Sequence, residues 1–301
     1  MVTRYGISII GAGRLGRSLG RRLRERGWKI HSVVTQSQTT ARRAVRSIGG
    51  GHARSSITAE AFLAPVVLIA VPDSVIQQVS EQLANAAGSG DARGRFVLHS
   101  SGSLSSDILL PLRKLGASVG SIHPLQSFSG VGAPDLEGRL FAIEGDTGAV
   151  RVARLLARTL GGQVMMLDSA AKPLYHAAAS MAAGLLLADL EAAVQIFVSL
   201  GMKRREALRA LLPLTRQVLE NEERLGPRAA WTGPLARGDF RIVKAHEGAL
   251  RSRKEEYLAA YRALNRLAAR VLSRDPDGML RALDQISQEV AYPPKAKGVT
   301  A

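Results

Sequence analysis

The glycine-rich stretch GAGRLG, residues 11–16, restricts the fold of this chain more than any other feature. The apolar run Tyr5–Ile10 before it predicts a strand, and the pattern Arg14–Arg26 after it predicts a helix. Glycines at this spacing permit a tight turn, the approach of a pyrophosphate, and close packing of helix on strand. A plain glycine turn is the alternative. The context favours a dinucleotide held by Gly11, Ala12, Gly13, Arg14, Leu15 and Gly16 at a helix N-terminus.

The rest of the first half alternates strand-like runs with helical patterns. Further strands are predicted at Trp28–Thr35, Val66–Val71, Phe96–His99, Ser118–His123, Leu140–Glu144 and Gln163–Leu167. This alternation predicts an α/β, Rossmann-type domain over residues 1–167, with a mainly parallel sheet. Only helical patterning follows, in Ala170–Leu200, Arg204–Leu225 and Ile242–Ser273. We therefore expect an all-helical domain over residues 168–290 and a flexible tail over 291–301.

The end of the second predicted strand lacks a feature that NAD-binding proteins usually have. Such folds place Asp or Glu about 20 residues after the glycines, to hold the ribose 2′-hydroxyl. Here no acidic residue occurs between Arg26 and Ala59. Hydroxyls, an amide and arginines accept a 2′-phosphate, which a carboxylate repels. The sequence therefore predicts NADP(H) rather than NAD, bound by Thr35, Gln36, Ser37 and Arg42, with Arg43 as a second candidate cation.

Composition excludes several classes of function. The chain has no cysteine, which excludes disulfides and thiolate catalysis, and a cytoplasmic location is expected. The apolar runs 61–71 and 177–188 are shorter than the 18 or so residues of a spanning helix, so no membrane segment is predicted. The net charge of +16 is compatible with polyanion binding. Because aromatic residues are only 4% and no nucleic-acid motif occurs, a solvated basic surface is favoured over nucleic acid as the partner.

Polar residues gather where predicted strands end. The turn AVPD offers Val71, Pro72 and Asp73 for cofactor contact, although turn formation alone also explains it. Polar stretches follow at LHSSGSLSSD (98–107), SIHPLQSF (121–128) and DSAAKPLYHAAA (168–179). In the last, Lys172 and His176 are four residues apart and share a helix face.

In their order, GAGRLG, AVPD, HSSG, HPLQSF, KPLYHAAA and TGPLARGD (232–239) resemble a bacterial Rossmann-like family. The C-terminal half of that family is domain of unknown function 2520. The resemblance implies a place near the 6-phosphogluconate, β-hydroxyacid and prephenate dehydrogenases and ketopantoate reductase. Those enzymes pair a Rossmann domain with a helical domain and are often dimers, so a homodimer is expected. The resemblance further implies catalytic roles for Lys172 and His176, and for His123 in its His-Pro motif.

Hydride transfer between a nicotinamide and a carbonyl requires a proton donor, a role that suits histidine. Ser100 and Ser101 are predicted to bind the reacting oxygen, and Arg237 is predicted to bind a substrate carboxylate. His246 is predicted to face the same cleft. For each of these residues a purely structural role is the alternative. No set of side chains has metal-site spacing, so no metal is predicted.

The sequence therefore predicts an NADP(H)-dependent oxidoreductase acting on a small carboxylate with a keto, imino or hydroxy group, with a ketopantoate-reductase-like activity as one version. The alternative is a regulatory or scaffold protein that binds NADP(H) without turnover. This alternative gains support from Gly184, which stands where many relatives have Asn.

Overall fold

The computed structural model describes residues 6–88, 92–130 and 132–291. The chain divides into two compact units, one extending to residue 183 and the other beginning at residue 184. The division falls inside a π-helical turn, Met181–Leu185. Apart from Ala291, the tail expected at 291–301 lies outside the described residues.

A single eight-stranded sheet forms the centre of the first unit, within the described residues. Its strand order is β3-β2-β1-β4-β5-β6-β7-β8, with β1–β6 parallel, β7 antiparallel to β6, and β8 parallel to β7. The strands are β1 Gly6–Ile10, β2 Lys29–Val34, β3 His52–Arg54, β4 Val66–Ile69, β5 Phe96–His99, β6 Ser118–Pro124, β7 Leu140–Gly145 and β8 Gln163–Met166. The prediction of an α/β fold with a mainly parallel sheet is confirmed.

Helices cover both faces of this sheet, which explains the continuous apolar runs. In β4, Val66 and Leu68 join one buried cluster, whereas Val67 and Ile69 join the other. A strand buried on both faces has no reason to alternate apolar and polar residues. The helices of this unit are α1 Arg14–Glu25, α2 Gln38–Ile48, α3 Asp73–Ala87, α4 Leu110–Lys114, α5 Thr147–Thr159 and α6 Lys172–Ser180.

The strand order of the sheet changes direction between β1 and β4. The chain adds β2 and β3 on one side of β1 and then crosses back to place β4 on the other side. The two loops meet there, since the N–H of Ala70 donates to the carbonyl of Ile10 at 2.7 Å. In open α/β sheets, ligands bind in the crevice at such a switch point.

The second unit is helical throughout its regular structure in the described part of the chain. Its helices are α7 Leu186–Ser199, α8 Arg204–Leu225, α9 Pro227–Ala230, α10 Phe240–Arg251, α11 Glu255–Leu272 and α12 Pro276–Ala291. The prediction of one continuous helix over Ile242–Ser273 is wrong. Lys254 has an extended backbone, and Glu255 and Glu256 begin a new helix, where acidic residues suit the positive N-terminal end.

One helical segment is longer than the apolar run from which the absence of a membrane span was predicted. The run 177–188 is part of a continuous helical segment of 31 residues, Ser169–Ser199, that is long and apolar enough to cross a membrane by length and composition alone. Very little of its most apolar window is buried. A core helix of a soluble protein satisfies the same two criteria, so length and composition alone are weak evidence for a membrane span.

Candidate functional site

Local sterics require glycine at two of the three glycine positions in the 11–16 turn. Gly11 has φ +89°, and a Cβ there would lie 2.5 Å from the carbonyl oxygen of Ala70. A Cβ on Gly16 would lie 2.2 Å from the carbonyl oxygen of Gly11. Around Gly13, by contrast, a Cβ would meet no atom within 4 Å. Two glycines are therefore required by the fold itself, whereas Gly13 leaves open space beside the chain.

This open space adjoins the N-terminus of α1. The helix begins at Arg14, no side chain caps it, and its first turn carries no acidic residue. The first N–H groups of such a helix have no partner inside it and attract an anion. Ala12 is buried and Leu15 packs against the core, so the turn is held in place from within. The residues present therefore suit a pyrophosphate.

The end of β2 combines positive charge with a second helix N-terminus. The hydroxyl of Thr35 donates to the carbonyl of Ser37 at 2.9 Å, and the hydroxyl of Ser37 donates to Thr40 Oγ1 at 2.9 Å. The N–H of Thr40 in turn donates to Ser37 Oγ, which caps α2. The protons of both predicted ligands are thus engaged within the turn. Arg42 and Arg43 are exposed, as is Gln36, and no carboxylate pairs with either arginine in the described part of the chain.

The AVPD turn is tied to the serine-rich loop that follows β5. The carboxylate of Asp73 accepts hydrogen bonds from Ser101 Oγ and Ser103 Oγ, both at 2.8 Å. Ser100 is buried, and its hydroxyl donates to the carbonyl of Ile69 at 3.3 Å. Both predicted substrate-binding serines thus hold the loop itself, and their role toward a substrate stays a prediction. Val71 and Pro72 lie directly before α3, whose first residue is Asp73.

A buried lysine fastens the start of α6 to the sheet. The side chain of Lys172 is 1% exposed, and its Nζ donates to the carbonyl of Ser101 at 3.0 Å and to Ser121 Oγ at 2.6 Å. Glu144 Oε1 lies 3.8 Å from the same Nζ, and the Glu144 side chain is only 3% exposed. Lys172 thus connects the serine loop, β6 and β7.

Besides this ion pair, the Glu144 carboxylate accepts three hydrogen bonds. The backbone N–H and the hydroxyl of Ser106 donate to it, both at 2.8 Å, and Ser169 Oγ donates at 3.0 Å. Burial lowers the pKa of Lys172, while the charge of Glu144 acts in the opposite direction. A buried ion pair stays stable only when hydrogen bonds replace the lost water. Since these bonds are made, the pair can hold three chain segments together.

Two histidines and a tyrosine meet beside Gly102. The Nδ1 atom of His123 lies 2.8 Å from the Tyr175 hydroxyl, and the His123 and His176 rings meet edge to face with centroids 5.7 Å apart. A Cβ on Gly102 would lie 2.5 Å from His176 Cδ2 and 2.9 Å from His123 Nε2. The backbone of Gly102 therefore contacts both imidazoles directly. The structure brings His123 and His176 together, and their catalytic role stays a prediction.

The protonation of this cluster is determined chiefly by burial. Burial, assisted by the nearby charges of His176 and Lys172, lowers the pKa of His123 to about 4. Burial also raises the pKa of Tyr175 to about 12. At neutral pH the pair is therefore a neutral imidazole and a protonated phenol that share a hydrogen bond. Such a pair can accept a proton at one end and donate one at the other.

The other two predicted ligands belong to the second unit. Arg237 is exposed in the turn before α10, and Asp239 caps that helix by accepting from the N–H of Ile242 at 3.4 Å. His246 Nδ1 lies 2.9 Å from the hydroxyl of Tyr261. His246 thus has a partner inside this unit, whereas the Arg237 side chain is exposed, and the contact of either residue with a substrate stays a prediction.

Sequence reasoning did not select Tyr175 or Glu144. Tyr175 lies between two selected residues, but its partner His123 is 52 positions away, so no local pattern reveals the pair. Glu144 had a usable signal, since a carboxylate inside the apolar strand LFAIEG requires a partner. Among the described residues, no group of three or more His, Asp or Glu side chains is arranged to hold a metal ion.

Comparisons with solved structures show the same fold in proteins of low sequence identity. A candidate NADP oxidoreductase from Bacteroides fragilis is 21% identical over 89% of this chain and 98% of its own, with a TM-score of 0.74. A protein from Thermotoga maritima is 24% identical over 93% and 98%, with a TM-score of 0.65. An imine reductase from Myxococcus stipitatus, solved with NADP⁺, is 15% identical over 92% and 99%, with a TM-score of 0.61.

Family comparison divides the chain in two. No curated protein matches it. The model of a Rossmann-like domain matches residues 1–124, and the model of domain of unknown function 2520 matches residues 139–268. The resemblance drawn from GAGRLG, HPLQSF and KPLYHAAA is confirmed to that extent: this chain joins a Rossmann-like domain to a C-terminal DUF2520 domain.

Proposed function

We propose that this protein is an NADP(H)-dependent oxidoreductase acting on a small carboxylate that carries a keto, imino or hydroxy group. The observation that carries the proposal is the open space at Gly13, in front of an uncapped and acid-free helix N-terminus. The acid-free end of β2, with Arg42 and Arg43 unpaired among the described residues, supports a 2′-phosphate over a free hydroxyl.

Each part of the site receives a defined task. The bound nicotinamide supplies or accepts the hydride. The N–H groups of residues 13–16 hold the pyrophosphate, and Arg42 pairs with the 2′-phosphate. The hydrogen-bonded pair His123 and Tyr175, with His176 beside it, moves a proton to or from the reacting oxygen or nitrogen.

We assign Lys172 a positioning role rather than that of a proton donor. Its ammonium group is enclosed and already donates to Ser101 and Ser121. By holding the carbonyl of Ser101, it fixes the neighbouring Gly102, which contacts both histidines. The expected phenotype of Lys172→Met is thus a displaced loop and loss of fold stability, together with lower turnover.

The substrate class is tested by a screen. NADPH and NADH are titrated against the intrinsic fluorescence of the protein, and keto acids and cyclic imines are then screened at the nicotinamide absorbance. Imines enter the first screen because an imine reductase shares this fold, and ketopantoate represents the keto acids. Failure of NADPH to bind would remove the proposal, whereas a preference for NADH would reverse only the interpretation of the β2 end.

The second candidate is a regulatory or scaffold protein that binds NADP(H) without turnover. It is favoured by Gly184, because a glycine supplies no side chain where many relatives have Asn, although the structure leaves open space for one there. Tyr175→Phe and His123→Gln distinguish the two functions, with the exposed His52→Gln as a control. For the oxidoreductase, the first two variants bind NADPH normally but turn over substrate at least tenfold more slowly. Absence of turnover across the screen, with intact NADPH binding, would support the regulatory function.

We further propose that the protein is a homodimer. The second unit exposes large apolar side chains on α7 and α8 and at their ends, at Leu185, Leu187, Leu200, Leu214, Val218 and Leu219. Large apolar side chains exposed on two neighbouring helices favour a surface that a partner covers. Sedimentation velocity of the wild type and of Leu187→Asp tests this: a dimer that becomes a monomer supports it. A monomeric wild type that instead floats with phospholipid vesicles would assign the surface to a membrane.

A further inference from the structure

A cavity of about 140 Å³ lies between α1, the last turn of α2 and the loop that follows β6. Its walls include Arg14, Arg17, Ser18 and Arg21 of α1, Ser47 of α2, and Gly130, Gly132 and Ala133 of the loop. The function proposed above uses the backbone at the start of α1 but none of these arginine side chains. The cavity therefore adjoins the turn assigned to the dinucleotide but presents different groups, the arginine side chains of α1.

The charge of this cavity is only partly compensated. Among its described lining residues, three carry guanidinium groups and none carries a carboxylate. Arg21 shares Glu25 with a neighbouring arginine, while the Nε of Arg17 donates only to the backbone carbonyl of Gly13 at 3.3 Å. Arg14 forms no ion pair within the described residues. Like charges one turn apart, close to the positive end of a helix, destabilise that helix. A bound anion would offset this cost.

The cavity is also a built feature rather than a gap under a loose loop. Arg22 fastens the loop to α1 by donating to the carbonyl of Ala133 at 2.6 Å and of Pro134 at 3.1 Å. The Arg14 side chain packs against Gly130, where a Cβ would lie 3.2 Å from it. The arginines and the opposing loop are thus held at a fixed separation.

We propose that this cavity binds the phosphate group of a small ligand, either inorganic phosphate or a phosphate monoester. Guanidinium groups recognise phosphate oxygens by paired, charge-assisted hydrogen bonds, and the volume admits one such group with a short substituent. Bound there, the anion would join α1 to the loop after β6, which begins at the His123-Pro124 motif.

Calorimetric titration of the full chain at constant ionic strength tests the proposal. Inorganic phosphate and glycerol phosphate are the two probes, each with and without saturating NADPH. We expect saturable binding that NADPH does not displace and that Arg17→Gln weakens about tenfold or more. The exposed Arg151→Gln, on α5, is the matched control and should bind as the wild type does. Tighter binding of one probe identifies the source of the phosphate.

Three outcomes would overturn the proposal: no saturable phosphate binding, equal weakening by Arg17→Gln and Arg151→Gln, or displacement of phosphate by NADPH. Displacement would mean that phosphate occupies the dinucleotide site. If Arg17→Gln fails to fold, Arg21→Gln provides the same test at an exposed position. Because phosphate is also titrated alone, the result stands even if NADPH does not bind.

Discussion

Replacing Gly13 and Gly16 separately by alanine should uncouple cofactor binding from folding. At Gly13 the backbone has φ −66° and ψ −160°, which alanine adopts, and the new Cβ meets no protein atom. We therefore expect the free energy of unfolding of Gly13→Ala to stay within about 1 kcal/mol of the wild type. The added methyl group occupies the space assigned to the pyrophosphate, however. Losing one charge-assisted hydrogen bond to a phosphate costs about 1.5–3 kcal/mol, or roughly 10–150-fold in NADPH affinity.

Gly16→Ala should behave in the opposite way. Its Cβ would lie 2.2 Å from a backbone oxygen, so strand and helix have to separate. Overpacking of this kind costs about 3 kcal/mol, which lowers the melting temperature of a unit of this size by roughly 6–12 °C. Thermal unfolding monitored by circular dichroism and fluorescence titration with NADPH measure the two effects. Should Gly13→Ala bind NADPH like the wild type, the pyrophosphate does not lie at this turn and the proposed function loses its basis.

Three further predictions concern other parts of the first unit. Arg42→Glu should weaken NADPH binding at least tenfold and leave NADH binding nearly unchanged. Arg46→Glu, with the same charge change on the same helix, should leave the binding of both cofactors nearly unchanged; equal effects of the two variants would exclude a 2′-phosphate at β2. Glu144→Gln leaves a buried ammonium without its counter-charge and should cost about 3–5 kcal/mol in urea unfolding, against no measurable change for the exposed Glu81→Gln. His123 contributes stability that is complete above its unfolded pKa of about 6.5 and is lost as the pH falls toward its folded pKa of about 4. This loss amounts to roughly 3 kcal/mol, and urea unfolding at neutral and acidic pH should show a smaller acid loss in His123→Asn.

The sequence predicted elements whose signals are local. The β1 turn, the doubly buried β4 and the helix Asp73–Ala87 each carry their own pattern of apolar residues, glycine or proline within a few positions. Strand β3 was missed because His52–Arg54 is three residues long and has no apolar run. The break between α10 and α11 was missed because its residues are polar and the apolar spacing continues beyond it.

The candidate site was predictable in its residue types but not in its pairings. Lys172, His123 and His176 were selected from motifs, and each lies in one cluster of the first unit. Tyr175 and the pairing of Lys172 with Ser101 were not predicted, since the bonds to Tyr175 and Ser101 span 52 and 71 residues and depend on which strands lie side by side. Burial by residues distant in the sequence lowers the pKa of His123, and no feature of the sequence around His123 predicts this shift.

The absence of a side chain at Gly102 limits how this site can be altered. Any other residue there would push the two imidazole rings apart, so in the proposed site substrate preference cannot be tuned at position 102. A redesign of specificity has to use side chains that approach the rings from other directions. Position 102 would then serve as a sensitive reporter, because even Gly102→Ala should alter the histidine ring resonances in an NMR spectrum.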